Sequence, residues 1–117
     1  MPYLRFKGFD EQFLRQSTPL LVEEFARVAE VPPEIVKIEL LPITRVTDTP
    51  RSLEILMFPR SQKRHDRIAA VLHELMSRFN YGDTHIFFIL LSPLLYYKQG
   101  APLTDISWLP TAECPSP

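Results

Sequence analysis

The chain has 117 residues, 45% of them hydrophobic and 23% charged, which suits a single domain with a buried core. Its 13 basic and 14 acidic side chains leave a net charge of −1, which argues against nucleic acid or an anionic membrane as a partner. No apolar run is long enough to span a membrane and no secretory signal pattern is present, so we expect a cytoplasmic protein.

A strand is predicted over residues 2–7, in which polar and apolar side chains alternate. The initiator methionine is usually removed before a small residue such as proline, so the mature chain is expected to begin at Pro2. Desolvation or a nearby cation lowers the pKa of an amine, which makes a buried terminal amine a usable base at neutral pH. Pro2 is therefore a candidate general base, although a second-position proline without any chemical role is more common.

A helix is predicted from Asp10, a suitable N-cap, to Glu30. Pro19 lies inside this segment and has no backbone N–H, so we expect either a kink or a break at Thr18 with Pro19 in a new first turn. The apolar positions recur at helical spacing and are Leu14, Leu21, Phe25 and Val28.

Two further strands are predicted at residues 34–41 and 53–58, and each is followed by a proline. Between them lies a polar connector, residues 43–51. A second helix is expected after the N-cap Ser61. Its predicted apolar stripe consists of Ile68, Leu72, Leu75 and Phe79.

The last predicted strand covers residues 84–91, which are almost entirely apolar and therefore indicate a strand covered on both faces. Residues 1–100 are interpreted as one domain, and residues 101–117 as a Pro-rich C-terminal tail that is extended and partly ordered. The only cysteine, Cys114, lies in that tail. Because neither a metal-ligand spacing nor a cofactor motif is present, we expect no metal and no cofactor.

Two strand–helix–strand units thus repeat at a spacing of about 50 residues. Right-handed crossovers put both helices on one face of a four-stranded mixed sheet, and the predicted fold class is α+β. The other face also carries apolar side chains and needs a cover, for which a partner subunit is the simplest source. The residues predicted on that face are Leu56, Phe58, Phe87, Ile89 and Leu91.

A repeated βαβ unit that begins with an N-terminal proline resembles the tautomerase superfamily, which includes 4-oxalocrotonate tautomerase and macrophage migration inhibitory factor. Residues 32–42 (PPEIVKIELLP) are similar to the Pro-Pro-x-x-Ile-x-Val-x-Val-x-Pro segment of the inhibitory factor. The opening MPYLRF and the turn at residues 81–83 resemble a small prokaryotic family of uncharacterised tautomerase-like proteins. The resemblance implies a homotrimer with its sheets facing inward, and a pocket at the subunit boundary where the proline moves a proton between carbon and an enol oxygen.

The other site residues of these relatives have poor counterparts here. Where 4-oxalocrotonate tautomerase has an arginine after its first strand, this chain has Phe9, and the second arginine corresponds to Lys37, which lacks the bidentate fork. The tyrosine and asparagine of the inhibitory factor correspond to Phe87 and Ile89. The resemblance therefore implies a more apolar pocket, with Phe58 and Phe87 as candidate lining residues.

Antiparallel pairing of the first and third strands predicts a substitute for the missing arginine, because it brings Phe58 and Arg60 next to Pro2. Arg60 or Lys37 then binds an anionic substrate and lowers the pKa of the terminal amine. The alternative is that both are merely solvated, Arg60 at the approach to the second helix and Lys37 on its strand.

Two tyrosines and a basic turn complete the candidates. Tyr96 and Tyr97 either line a neighbouring subunit's pocket as hydroxyl donors or pack in an interface. Residues 63–67 (KRHDR) are expected to form a solvated face at the start of the second helix.

The sequence thus supports a proline-based tautomerase or isomerase that acts on a small enolisable carboxylate. The alternative is a non-catalytic binding or assembly protein that keeps the fold without the activity. A third interpretation, an RNA-binding ferredoxin-like module, needs exposed aromatic residues on central strands with basic neighbours. The near-neutral charge and the apolar fourth strand disfavour it.

Overall fold

A computed structural model describes residues 2–103 of the chain. Its two helices and six strands are, in chain order, β1 (Tyr3–Lys7), α1 (Glu11–Ala29), β2 (Lys37–Leu41), β3 (Ser52–Met57), α2 (Gln62–Arg78), β4 (His85–Leu90), β5 (Tyr97–Lys98) and β6 (Ala101–Pro102). Met1, Cys114 and most of the predicted tail lie outside the described residues.

The four longer strands form one sheet in the order β2-β1-β3-β4. β1 is parallel to β2 and antiparallel to β3, and β3 is parallel to β4. This arrangement confirms the two βαβ units, the mixed sheet and the α+β fold class predicted from the sequence. Residues at matching positions form rows across the sheet, for example Leu4 beside Ile38 on one side and Ile55 on the other.

One face of the sheet forms the core with α1 and α2. Its buried strand residues alternate with residues of the opposite face, as period-two patterning requires. Leu21, Phe25 and Leu72 on the helices have no exposed surface. The strand side chains that pack against the helices include Leu4, Phe6, Leu53, Ile55 and Met57.

α1 begins at Glu11, after the Asp10 Oδ2 atom accepts a hydrogen bond of 2.9 Å from the Phe13 N–H. The helix continues through Pro19, so the break expected at Thr18 as one alternative is wrong. The buried Leu21 and Phe25 lie beyond the proline. Their burial stabilises the helix by several kcal/mol, which offsets the roughly 3 kcal/mol cost of an internal proline.

α2 begins after the N-cap Ser61, as predicted, but its apolar stripe differs at the end. Met76 is fully buried, whereas Phe79 is 40% exposed and lies just after the helix. The prediction that Phe79 extends the stripe is wrong, because the helix ends at Arg78 and the Phe79 ring packs on Phe13, with 5.4 Å between ring centroids.

The sheet face away from the helices is called the outer face here. Its residues are Tyr3, Arg5, Lys7, Lys37, Glu39, Leu41, Ser52, Glu54, Leu56, His85, Phe87 and Ile89. On one half of this face, ion pairs join Arg5 to Glu39 at 3.0 Å and Lys7 to Glu54 at 2.6 Å. On the other half, Phe87 and Ile89 are each about two-fifths exposed, so in a single chain β4 is not covered on both faces.

A hairpin that the sequence pattern did not predict follows the sheet. β5 and β6 pair antiparallel, and the two residues between them, Gln99 and Gly100, both have positive φ, as a tight hairpin turn requires. The hairpin spans the predicted boundary between domain and tail at residue 100. Within residues 2–103, neither helix is long and apolar enough to cross a membrane.

Candidate functional site

Pro2 is buried at the beginning of β1. Its carbonyl oxygen accepts a hydrogen bond of 2.9 Å from the Lys37 N–H. This bond extends the pairing of β1 with β2 to the residue before β1. A terminal residue of this kind would fray without such a bond. The backbone therefore holds the proline ring in a defined position at one end of the sheet.

The end of β3 lies beside Pro2, as the predicted antiparallel pairing requires. Tyr3 is aligned with Leu56, so continuing the register puts Pro2 opposite Met57, and residues 58–60 run on past the beginning of β1. Phe58 is 3% exposed and Arg60 is 7% exposed. The alternative in which Arg60 is a solvated residue before α2 is therefore wrong.

His65 fixes the backbone at Arg60. Its Nε2 atom accepts a hydrogen bond of 3.0 Å from the Arg60 N–H, and its ring packs edge-on against Phe88 at 4.5 Å. His65 is buried, so the prediction that residues 63–67 form a solvated face is wrong at this position. The reason is that the turn between β3 and α2 brings the first turn of the helix against the residues that precede it, so that His65 contacts Arg60.

Tyr96, which follows β4, packs against the residues that follow β3. Its ring packs edge-on against Phe58, with 5.8 Å between centroids, and its hydroxyl lies close to that of Tyr3. Burial, together with the hydrogen bond and the charge of Tyr3, raises the pKa of Tyr96 to about 12. The hydroxyl therefore stays protonated at neutral pH and is available as a hydrogen-bond donor.

Tyr3 was not singled out from the sequence. Its place in the alternating pattern of β1 puts it on the outer face directly after Pro2, but only the register with Leu56 brings it to the end of β3. Its approach to Tyr96 depends on the direction that the chain takes after β4, which no local sequence pattern encodes.

Lys37 is the first residue of β2 and is aligned with Tyr3. Its side chain is exposed, and its Nζ atom lies 3.5 Å from the Glu34 carbonyl oxygen. The ammonium group is therefore at the same end of the sheet as Pro2 and in contact with solvent, as its interpretation as a solvated strand residue expects.

Two of the predicted site residues are not gathered here within one chain. Phe87 lies in the row of Arg5 and Glu54, two strands away from β1. Tyr97 begins β5 and is 56% exposed. Their roles as substrate-binding residues stay predictions, and they require a neighbouring subunit.

An amine, two cations and two phenols, from Pro2, Arg60, Lys37, Tyr3 and Tyr96, thus lie towards one end of the sheet. This set supplies a proton acceptor, an anion binder and neutral hydrogen-bond donors. Within residues 2–103, no three His, Cys, Asp or Glu side chains are grouped so as to hold a metal ion.

The fold and this site can be compared with known proteins. A family model described as "Domain of unknown function (DUF1904)" matches residues 1–102. The crystal structure of such a domain from Sebaldella termitidis is 27% identical over 88% of this chain and 100% of that chain, with a TM-score of 0.78. A protein of unknown function from Vibrio cholerae is 24% identical over 87% of each chain, with a TM-score of 0.79. A comparison with curated protein sequences found no match.

More distant structures share the fold. Native fused 4-OT is 15% identical over 86% of this chain and 94% of that chain, with a TM-score of 0.68. Malonate semialdehyde decarboxylase and a macrophage migration inhibitory factor-like protein from Entamoeba histolytica are also similar, with TM-scores of 0.64 and 0.66. These likenesses confirm the tautomerase-like fold predicted from the sequence.

Proposed function

We propose that this chain, which belongs to the DUF1904 family, is a tautomerase or isomerase that uses Pro2 as general base on a small enolisable carboxylate. The observation that carries the proposal is the burial of Pro2 at the start of β1, at the same end of the sheet as the buried Arg60, Tyr3 and Tyr96. Loss of Met1 makes the proline nitrogen a free secondary amine, and burial favours its neutral form.

In the proposed reaction, the Pro2 nitrogen takes a proton from the carbon next to the substrate's carbonyl group. The electron pair of the broken C–H bond moves to the carbonyl oxygen, and a phenol of the Tyr3–Tyr96 pair donates a hydrogen bond to that oxygen. Arg60 or Lys37 binds the substrate's carboxylate. The proton then returns from the amine to a different atom of the substrate, which completes the isomerisation.

The distant structural relatives support this choice of base. The malonate semialdehyde decarboxylase structures are described as a basis for decarboxylase and hydratase activities, and they include a variant in which a proline at the first position is replaced by alanine. An N-terminal proline on this fold has thus been treated as functionally important in another protein. This chain has Phe9 and Lys37 where 4-oxalocrotonate tautomerase has arginines, so the group that binds the anion differs.

The proposed assembly is a homotrimer in the cytoplasm. Two of the fused 4-OT structures are described as asymmetric trimers. A trimer with inward-facing sheets would cover Phe87 and Ile89, which are exposed in one chain. It would also bring Phe87 or Tyr97 of one subunit towards Pro2 of another.

A second candidate is a binding or assembly protein without catalytic activity. The observation that favours it is the apolar character of Phe87 and Ile89, since a site for a charged intermediate usually carries polar groups.

The test is ketonisation of phenylpyruvate or 2-hydroxymuconate by the wild type and by Pro2→Ala. We expect a rate loss of about 10²–10⁴-fold in the variant, the usual contribution of a positioned base. Intact mass spectrometry must show that Met1 is absent from both proteins. Equal rates, or a retained Met1, would overturn the catalytic proposal in favour of the binding protein.

A further inference from the structure

Of the three histidines in the chain, which all lie within residues 2–103, only His65 is buried. Burying an imidazole away from water costs free energy unless its polar atoms find partners. The Nε2 atom of His65 accepts the hydrogen bond of 3.0 Å from the Arg60 N–H, and the ring is held edge-on against Phe88. A leucine would fill a similar space without that cost, so the imidazole indicates that the bond to Arg60 has a use.

The direction of this bond fixes the tautomer of the ring. A backbone N–H only donates, so Nε2 carries a lone pair, and the proton of the neutral imidazole is on Nδ1. His65 therefore acts on Arg60 as a hydrogen-bond acceptor.

Arg60 belongs to the short segment between β3 and α2, so its N–H is part of neither the sheet nor the helix. Pro59 has a fixed φ, which restrains the chain before Arg60. The Ser61 Oγ atom accepts a hydrogen bond of 3.2 Å from the Arg64 N–H, which restrains the chain after it. The bond to His65 restrains the residue between them, and with it the point from which the Arg60 side chain extends.

The first turn of α2 is itself anchored to the end of α1. The Arg64 Nη1 atom donates a hydrogen bond of 2.8 Å to the Val28 carbonyl oxygen, and the same guanidinium is ion-paired with Glu30. His65 is the next residue in α2. The acceptor for the Arg60 N–H is therefore fixed relative to both helices.

We propose that His65 is a positioning residue, which holds Arg60 where its guanidinium binds the substrate's carboxylate. The inference rests on the anion-binding role of Arg60 in the proposed function. Misplacing a binding group by about 1 Å is enough to weaken its interaction severely. Loss of the bond from Arg60 to His65 therefore weakens the binding of the anion, although His65 itself does not touch the substrate.

The hydrogen bond is tested first by NMR on the isotopically labelled wild type, without any ligand. We expect a scalar coupling across the bond between the Arg60 amide nitrogen and His65 Nε2, and an Nε2 chemical shift typical of a ring nitrogen without a proton. A ring that carries its proton on Nε2 at neutral pH would overturn the inference. This measurement requires no variant and no substrate.

Two substitutions then separate positioning from packing. His65→Leu fills the space without an acceptor, whereas His65→Gln keeps an acceptor on a side chain of similar length. Calorimetry with phenylpyruvate should give a Kd about tenfold higher in His65→Leu and within about threefold of the wild type in His65→Gln. His73→Leu is the matched control on the same helix, because His73 is exposed and its Nε2 atom lies 3.2 Å from the Gly82 carbonyl oxygen. It should bind like the wild type.

A double-mutant cycle shows whether the effect passes through Arg60. In an Arg60→Ala background, His65→Leu should weaken binding no further. An additional loss there, equal losses in His65→Leu and His65→Gln, or a wild type that does not bind phenylpyruvate would overturn the inference. Because binding is measured and not turnover, the two proposals fail separately. Equal turnover by Pro2→Ala removes the base, whereas an unchanged Kd in His65→Leu removes the positioning role.

Discussion

The two ends of the sheet are built differently. At the end with Pro2, the side chains of Phe58 and Arg60 are buried and Tyr96 packs on Phe58. At the other end, every residue from 42 to 50 is exposed and the covering segment has no regular structure. The same strands run through both ends, so the difference comes from the segments attached to them.

The segments differ because of where their backbone hydrogen bonds go. The Pro2 carbonyl oxygen accepts a hydrogen bond from the Lys37 N–H, which is distant in sequence, and the Arg60 N–H donates one to the His65 ring in the first turn of α2. The described hydrogen bonds give residues 43–50 no such anchors, whereas the next residue, Arg51, accepts a hydrogen bond of 2.9 Å at its carbonyl oxygen from the His85 N–H. An end that is fixed in this way suits a reacting group that must be held in one place.

The difference in packing between the two ends is tested most directly by shortening one apolar side chain at each end to alanine. Phe58→Ala should lower the free energy of unfolding by about 3–5 kcal/mol, because it leaves a cavity among buried neighbours. Val46→Ala, at a position that is 91% exposed, should change it by less than about 0.5 kcal/mol. Urea denaturation of the two variants measures both, and similar losses would show that the ends are equally packed.

A smaller effect is expected from the cation at the rigid end. Arg60→Ala should raise KM for an anionic substrate by about 10–100-fold, since it removes a charged hydrogen-bond donor. Arg60→Lys, which keeps the charge but not the bidentate fork, should recover part of this loss. If steady-state kinetics give an unchanged KM for Arg60→Ala while Lys37→Ala raises it, the exposed lysine is the anion binder instead.

The smallest effect concerns Tyr96. Its folded pKa of about 12 lies above the ordinary value of 10.0, so the unfolded chain releases this proton first as the pH rises. The hydroxyl's contribution to stability is therefore full below pH 10 and is lost as the pH rises towards 12. Ultraviolet titration of the wild type should show one late tyrosine that is missing in Tyr96→Phe. Titration of all tyrosines together near pH 10 would contradict this.

Much of the fold was predictable because its signals are local. Period-two alternation in β1 and β2, period-3.6 spacing in α1 and α2, and the caps Asp10 and Ser61 each depend on a few neighbouring residues. The preference for right-handed crossovers then restricted the possible topologies to one sheet with both helices on the same face. The position of Pro2 at the start of a buried strand follows from the same signals.

The sequence by itself therefore determined the elements, their order and the end of the sheet at which Pro2 lies. Only the tertiary structure decided that Arg60 is buried and that Tyr3 and Tyr96 lie close together. Both results depend on the strand register and on the direction of the irregular segments that follow β3 and β4. Neither is encoded in the spacing of nearby side chains, because many chain paths satisfy the same local pattern.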